Sequence, residues 1–135
     1  MEQLLLVTVD VEGGSEPVVY ESVDALDRFL DEIALPVTLF VTPDVVSNRT
    51  ETVAGWLESS HHVGLHIHPV RLGGDSDWLA SYGRSRVQSF LQEGCDTFER
   101  ELDARPTGFR AGRWSFSSTI IEACAETGFA WDASH

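Results

Sequence analysis

The sequence predicts an α/β protein built on a parallel sheet, and three observations carry that expectation. Apolar runs of strand length alternate with segments of helical periodicity along the whole chain. The runs are rich in Leu, Val, Ile and Phe, as in strands covered on both faces. Each run ends in turn-forming or polar residues, so carboxylates, imidazoles and guanidinia gather where the strands end, the edge at which α/β folds place their chemistry.

Taken in order, residues 4–9 form the first strand, and Leu4, Leu5, Leu6, Val7 and Val9 describe one buried on both faces. Asp10 and Glu12 follow with Val11 between them, just before Gly13-Gly14. Residues two apart in a strand share a side, so both carboxylates project together. Two such acids repel, and burial disfavours their charged forms, so a cation or a shared proton would relieve them. If the strand has already reached water there, both are hydrated loop residues. Ser22 is the expected N-cap of a helix over residues 23–33, with Val23, Leu26, Leu30 and Ile33 inward and Asp24, Asp27, Arg28 and Asp31 outward. After Pro36 a second apolar strand spans residues 37–41 and is closed by Thr42-Pro43-Asp44. A polar segment, residues 47–50, leads to a helix over residues 51–59 that turns Val53, Trp56 and Leu57 inward.

The third strand, residues 62–68, stops at Pro69. The loop that follows, residues 70–83, carries GGDSDW, and loops of this length have a function or are mobile. A helix over residues 84–102 repeats Val87, Phe90, Leu91, Cys95, Phe98 and Leu102 at helical spacing. A short strand at residues 107–111 runs into the turn Gly112-Arg113-Trp114. Ser117 or Ser118 caps a last helix holding Ile120, Ile121 and Cys124, Gly128 stops it, and a fifth strand begins at Phe129.

A length of 135 residues suits one domain, residues 1–135, with a real core, and an apolar share of 42% is that of a globular chain. The net charge is −13, from 22 acids against nine arginines and no lysine. Such a surface argues against binding nucleic acid or an anionic membrane by charge. It resembles the acidic surfaces of proteins from salt-loving microbes, which predicts a melting temperature that rises with molar salt. Cys95 and Cys124 lack metal-ribbon spacing and read as small core residues. No stretch has the length of a membrane span and no basic leader precedes the first strand, so a cytoplasmic location is expected.

The strand ends bring together Asp10 and Glu12 from the first, His66 and His68 from the third, Arg110 from the fourth with Arg113 and Trp114 just beyond, and Asp132 and His135 from the fifth. His66 and His68 sit two apart, so both rings point the same way and one divalent ion can accept both; a core-satisfied or hydrated pair is the alternative. Imidazole with carboxylate suits zinc, cobalt, nickel or iron better than calcium or magnesium. Arg110 can hold a carboxylate by paired hydrogen bonds, with Asp10 the natural partner; otherwise it is a surface ion pair of little weight. Trp78 and Trp114 either line a sugar-binding face or pack as ordinary aromatics. His61 and His62 lie at the other end of their strand and read as surface residues.

Five segments in series, TVDVE (residues 8–12), PVTLFVTP (36–43), VGLHIHP (63–69), GFRAGRWSF (108–116) and ETGFAWDAS (126–134), resemble the polysaccharide deacetylase (NodB homology, carbohydrate esterase 4-like) family in order and spacing. The resemblance implies a distorted parallel (β/α) barrel, incomplete here with about five strands of the usual seven. It also implies a divalent metal, most simply Zn2+, and removal of acetyl groups from N-acetylated sugars. Some relatives hydrolyse other carbon–nitrogen bonds. It makes Asp10 the general base, Glu12 and His66 metal ligands, and Arg110 the residue that orients the base. The second family histidine falls where this chain has Val70, and His68 is taken in its place. The tyrosine whose backbone N–H helps hold the oxyanion falls near Arg113 or Trp114. The family's general-acid histidine lies in a later region, and His135 does not match it.

Three functions follow as expectations. The first is a metal-dependent amide hydrolase. The second is a non-catalytic deacetylase-like module that binds a sugar or a partner, with self-association covering the open barrel edge. The third, a phosphoesterase, would want more phosphate-binding groups than Arg110 and Arg113 provide.

Overall fold

The computed structural model describes residues 5–33 and 35–134. Five strands form one parallel sheet in the order β1-β2-β3-β4-β5: β1 (Thr8–Val11), β2 (Thr38–Val41), β3 (His62–Ile67), β4 (Gly108–Ala111) and β5 (Trp131–Asp132). Helices α1 (Pro17–Glu32), α2 (Pro43–Asn48), α3 (Thr50–Glu58), α4 (Arg84–Leu102) and α5 (Ser118–Thr127) connect them. All neighbouring strands pair in parallel, in registers such as Asp10 with Phe40 and His66 with Arg110. The α/β expectation holds, and the barrel is not closed: among the described residues β1 and β5 are unpaired edges.

Strand alternation sorts the side chains. Val11, Leu39, Val41, Val63, Leu65, Ile67, Phe109 and Ala111 belong to one core with Val87, Phe90, Leu91, Cys95 and Phe98 of α4 and with Ile120, Ala123 and Cys124 of α5. Both cysteines are buried and free, as expected, and burial pushes their thiols up to about 11 for Cys95 and about 12 for Cys124. Residues on the other parity turn to the concave face: Thr8, Asp10 and Glu12; Phe40; His62, Gly64, His66 and His68; Gly108 and Arg110. The Phe40 ring meets Trp131 there at 5.5 Å between centroids, although β3 and β4 lie between their strands. The glycines leave space for these rings. A Cβ on Gly108 would stand 2.2 Å from the Trp131 ring, and one on Gly64 2.9 Å from that of Phe40.

Several elements differ from the sequence expectation. Among the described residues the first strand is an edge strand, not one buried on both faces: it begins at Thr8, and Leu5 and Leu6 are three-quarters exposed. Leu4 lies outside the described residues. Helix α1 starts at Pro17 rather than after Ser22, whose hydroxyl donates to Val18 O within the helix; proline at the first position has no N–H to leave unpaired. Asp24 and Asp27 do not simply face water, since they accept from Arg49 and from Trp56 Nε1. Thr42-Pro43-Asp44 is not a closing turn but the start of α2, with Pro43 at the first position and Asp44 in the first turn, where an acid meets the helix dipole. The expected polar link at 47–50 is therefore mostly helical, and Leu57 is partly exposed rather than inward. Helix α4 has the expected bounds. Ser117 is the cap of α5, accepting from Ile120 N, and Gly128 closes that helix at φ 95°. The loop after β3 is built from two short 3-10 turns, Pro69–Leu72 and Leu79–Ser81. The fifth strand begins at Trp131, two residues after Phe129.

Candidate metal centre

The carboxyl ends of β1 and β3 lie on one rim, because parallel pairing through β2 aligns them. Glu12 follows β1 directly, and its Oε1 stands 3.1 Å from His68 Nε2 and 3.4 Å from His66 Nε2. One donor atom from each of the three residues lies within 4.8 Å of the others. The two rings meet edge to face with centroids 4.9 Å apart.

Both rings are oriented from behind. His66 Nδ1 is 2.8 Å from Arg110 O, and a carbonyl can only accept, so Nδ1 carries the hydrogen and Nε2 is left facing Glu12. His66 is buried, and burial holds its pKa below the ordinary 6.5, so the ring is neutral at pH 7 with its lone pair on Nε2. His68 Nδ1 donates to Asp77 Oδ2 at 2.9 Å, which leaves its Nε2 to face Glu12 as well. Burial would raise the Asp77 pKa, but the hydrogen bonds and charges of His68 and Arg113 outweigh it and keep the group a carboxylate. For Glu12, burial likewise pushes up while His68, His66 and Arg71 pull down, with a net lowering. Gly112 completes the His68 pocket: a Cβ there would stand 2.6 Å from the imidazole.

This donor set fits a divalent ion. The lone pair of His66 Nε2 faces a carboxylate oxygen 3.4 Å away, two acceptors with no hydrogen between them, and a shared cation satisfies both. A carboxylate or carbonyl behind each ligating imidazole is the usual arrangement around bound zinc. Two nitrogens and one oxygen favour zinc and its neighbours in the first transition row.

Beside the cluster, Arg110 Nη1 donates to Asp10 Oδ1 at 2.8 Å and lies 3.2 Å from Thr8 Oγ1, while Nε donates to Ala133 O at 2.8 Å. One guanidinium nitrogen reaches Asp10, so the expected paired contact is single. Arg110 spans from β4 to β1 across the concave face, its guanidinium 4.3 Å from the centroid of the Phe40 ring and 5.0 Å from that of Trp114. Arg113 and Trp114 both have left-handed backbone, φ 54° and 53°, a strained pair for non-glycine residues. That reversal sets Trp114 beside Arg110 and lets Arg113 Nε donate to Asp77 Oδ2 at 2.8 Å.

The structure thus brings Asp10, Glu12, His66, His68, Arg110, Arg113 and Trp114 to one rim. Trp78 follows Asp77 in the loop and is half exposed; its backbone N–H and C=O are bonded to Ser76 and Ser81. Val70 is half exposed in the turn after Pro69, while His68 stands with the other donors. Asp132 is occupied by Ser134, and His135 lies outside the described residues. His62 is at the far end of β3 beside Trp131, and His61 Nδ1 accepts from Val37 N. Nothing in the spacing of Asp77 and Arg71 along the sequence marks them as site residues. The one pointer is the length and acidity of the loop that holds both.

In fold, this curled parallel sheet is of the polysaccharide deacetylase (NodB-like, carbohydrate esterase family 4) type, as its similarity to solved structures shows. The chain superposes on a protein described as a polysaccharide deacetylase from Mycobacterium smegmatis with a TM-score of 0.72 at 20% identity, over 96% of this chain and 50% of that one. It superposes on a family 4 pseudoenzyme from Bacillus anthracis with a TM-score of 0.73 at 15% identity, over 94% of this chain and 41% of the other. A family 4 carbohydrate esterase from Streptomyces lividans, solved with acetate, gives 0.73 at 16% identity, over 94% of this chain and 60% of that chain. The chain spans roughly half the length of these proteins. No family model matches it, and no curated protein does. Among the described residues no helix is long and apolar enough to cross a membrane.

Proposed function

We propose that this chain is a metal-dependent hydrolase of carbon–nitrogen bonds that removes acetyl groups from an N-acetylated sugar or polysaccharide. The observation that carries the reading is the convergence of Glu12 Oε1, His66 Nε2 and His68 Nε2, each imidazole turned toward the carboxylate by an acceptor behind it. Glu12, His66 and His68 would hold the ion, Zn2+ in the first instance. The chemistry supplied by a bound divalent ion is Lewis-acid polarisation of an amide carbonyl and a more acidic water. Asp10 takes the proton of the attacking water, and Arg110 holds Asp10 in place through Oδ1. Backbone N–H groups in the Arg113–Trp114 turn serve the developing oxyanion. The exposed rings of Trp114 and Trp78, with Arg113, receive the sugar.

A second reading rests on a specific observation. The described histidines are His61, His62, His66 and His68; the last two belong to the metal cluster and the first two lie at the far end of β3. Among the described residues no imidazole outside the cluster stands at this rim, and a positioned general acid typically contributes ~10²–10⁴-fold in rate. In this reading the chain binds an N-acetylated carbohydrate or a partner without turning it over, and self-association covers the open sheet edges. The test is bound metal after purification, with acetate release from acetylated chito-oligosaccharides, in the wild type and in a His66→Ala, His68→Ala double variant. Metal and acetate release in the wild type alone support the hydrolase. Metal without acetate supports the binding module. Equal, negligible metal in both removes the hydrolase reading.

A further inference from the structure

Glu12 has two oxygens, and they face different partners. Oε1 points to the two imidazoles, while Oε2 lies 3.3 Å from Arg71 Nη2. Arg71 is placed by the end of β3. Pro69 cannot continue the ladder and starts a 3-10 turn, in which Arg71 N donates to His68 O at 2.9 Å and Gly74 N to Pro69 O at 2.9 Å. That turn carries the residue three beyond His68 back over the end of β1. Its guanidinium is held from the other side as well: Nη1 donates to the carbonyl of Gly13 and lies 3.2 Å from Asp44 Oδ2.

The backbone around Glu12 has anchors of its own. Thr42 N donates to Val11 O at 3.0 Å, and Gly13 N donates to Thr42 Oγ1 at 3.2 Å. The loop is therefore tied to β2 on both sides of Glu12 without Arg71, so the bond from Arg71 to the Gly13 carbonyl is one tie among several, and its distinct contribution is the contact with Oε2. Resting on the metal reading above, we infer that Arg71 is a positioning residue that occupies Oε2 and so restricts Glu12 to offering one oxygen to a bound cation. The same guanidinium would place a fixed positive charge beside a bound ion and lower its affinity.

The two consequences of removing Arg71 act in one direction. Glu12 gains a second oxygen to offer, and a repelling charge leaves the neighbourhood of a divalent ion. Loss of a mere scaffold would act in the opposite direction. The experiment titrates Co2+ into the full chain and follows both the dissociation constant and the visible absorption band, whose intensity falls as coordination number rises. In Arg71→Gln, Co2+ is expected to bind tighter, on the order of tenfold, with a weaker band. Arg71→Lys keeps the charge without the fork and falls between Arg71→Gln and the wild type. Asp44→Asn weakens one further anchor of Arg71, leaves its bond to the Gly13 carbonyl in place, and stays close to the wild type in both readouts. Unchanged binding and an unchanged band in Arg71→Gln would overturn the inference, as would weaker binding with an unchanged band, or an Asp44→Asn variant that behaves like Arg71→Gln. A wild type that takes up no more Co2+ than the His66→Ala, His68→Ala variant overturns the metal reading itself, and this inference with it.

Discussion

Replacing Arg110 with methionine keeps an unbranched stem of similar length and removes the guanidinium. The group lost is buried, with 7% of the residue exposed, and makes 2.8 Å bonds to Asp10 Oδ1 and to Ala133 O. A hydrogen bond to a charged group is worth ~1.5–3 kcal/mol. The stack on Phe40 and Trp114 adds roughly 0.5–1 kcal/mol per ring. Against this, the Asp10 side chain is 30% exposed, so water replaces part of what it loses. The balance is a destabilisation of about 3 kcal/mol, near the lower end for breaking a buried ion pair, and a large fraction of the 5–15 kcal/mol that holds a typical domain together. Urea unfolding followed by circular dichroism should show the midpoint falling by about 1.5 M for a slope of roughly 2 kcal/mol per molar. In a double-mutant cycle with Asp10→Asn the two changes should couple by about 1–2 kcal/mol. A loss below ~1 kcal/mol in Arg110→Met, or additive effects in the cycle, would refute the view that Arg110 braces β4 against β1 through Asp10.

Two further outcomes are expected. The metal-free protein should lose stability as pH falls from 7 toward 4, read as the urea midpoint at each pH. His66 has a folded pKa below the ordinary 6.5, so the unfolded chain takes up that proton first, and the stability is complete above 6.5 and lost as pH drops through the folded value. Glu12, lowered from 4.5, repeats the pattern at more acid pH, and in molar salt, where self-repulsion is screened, a midpoint that is flat or rises on acidification contradicts both assignments. Separately, a net charge of −13 predicts that molar KCl raises the melting temperature by screening self-repulsion, and a transition indifferent to salt removes that expectation.

What could be read from the chain, and what could not, divides along a physical line. Side-chain parity in a strand is local, so Asp10 with Glu12 and His66 with His68 fall on common sides before any tertiary contact is known. The bounds of α4 and the stop at Gly128 follow from periodicity and backbone freedom, which are local as well. Position within the sheet is not local: Leu5 and Leu6 are as apolar as any buried strand, yet β1 is an edge and they are exposed. Pro43-Asp44 reads equally as a turn or as a helix start, and only the packing of α2 decides. Asp77 and Arg71 reach the site through the path of a loop, and nothing in their spacing announces the partners they meet.

The glycines of the inner face have an effect on shape. With no Cβ at Gly64 or Gly108, the flat rings of Phe40 and Trp131 settle low inside the curl and close it from beneath, and Arg110 rests on the first of them. Any side chain at Gly64 would push aside the ring on which the Arg110 guanidinium rests, and any at Gly108 would displace its neighbour Trp131.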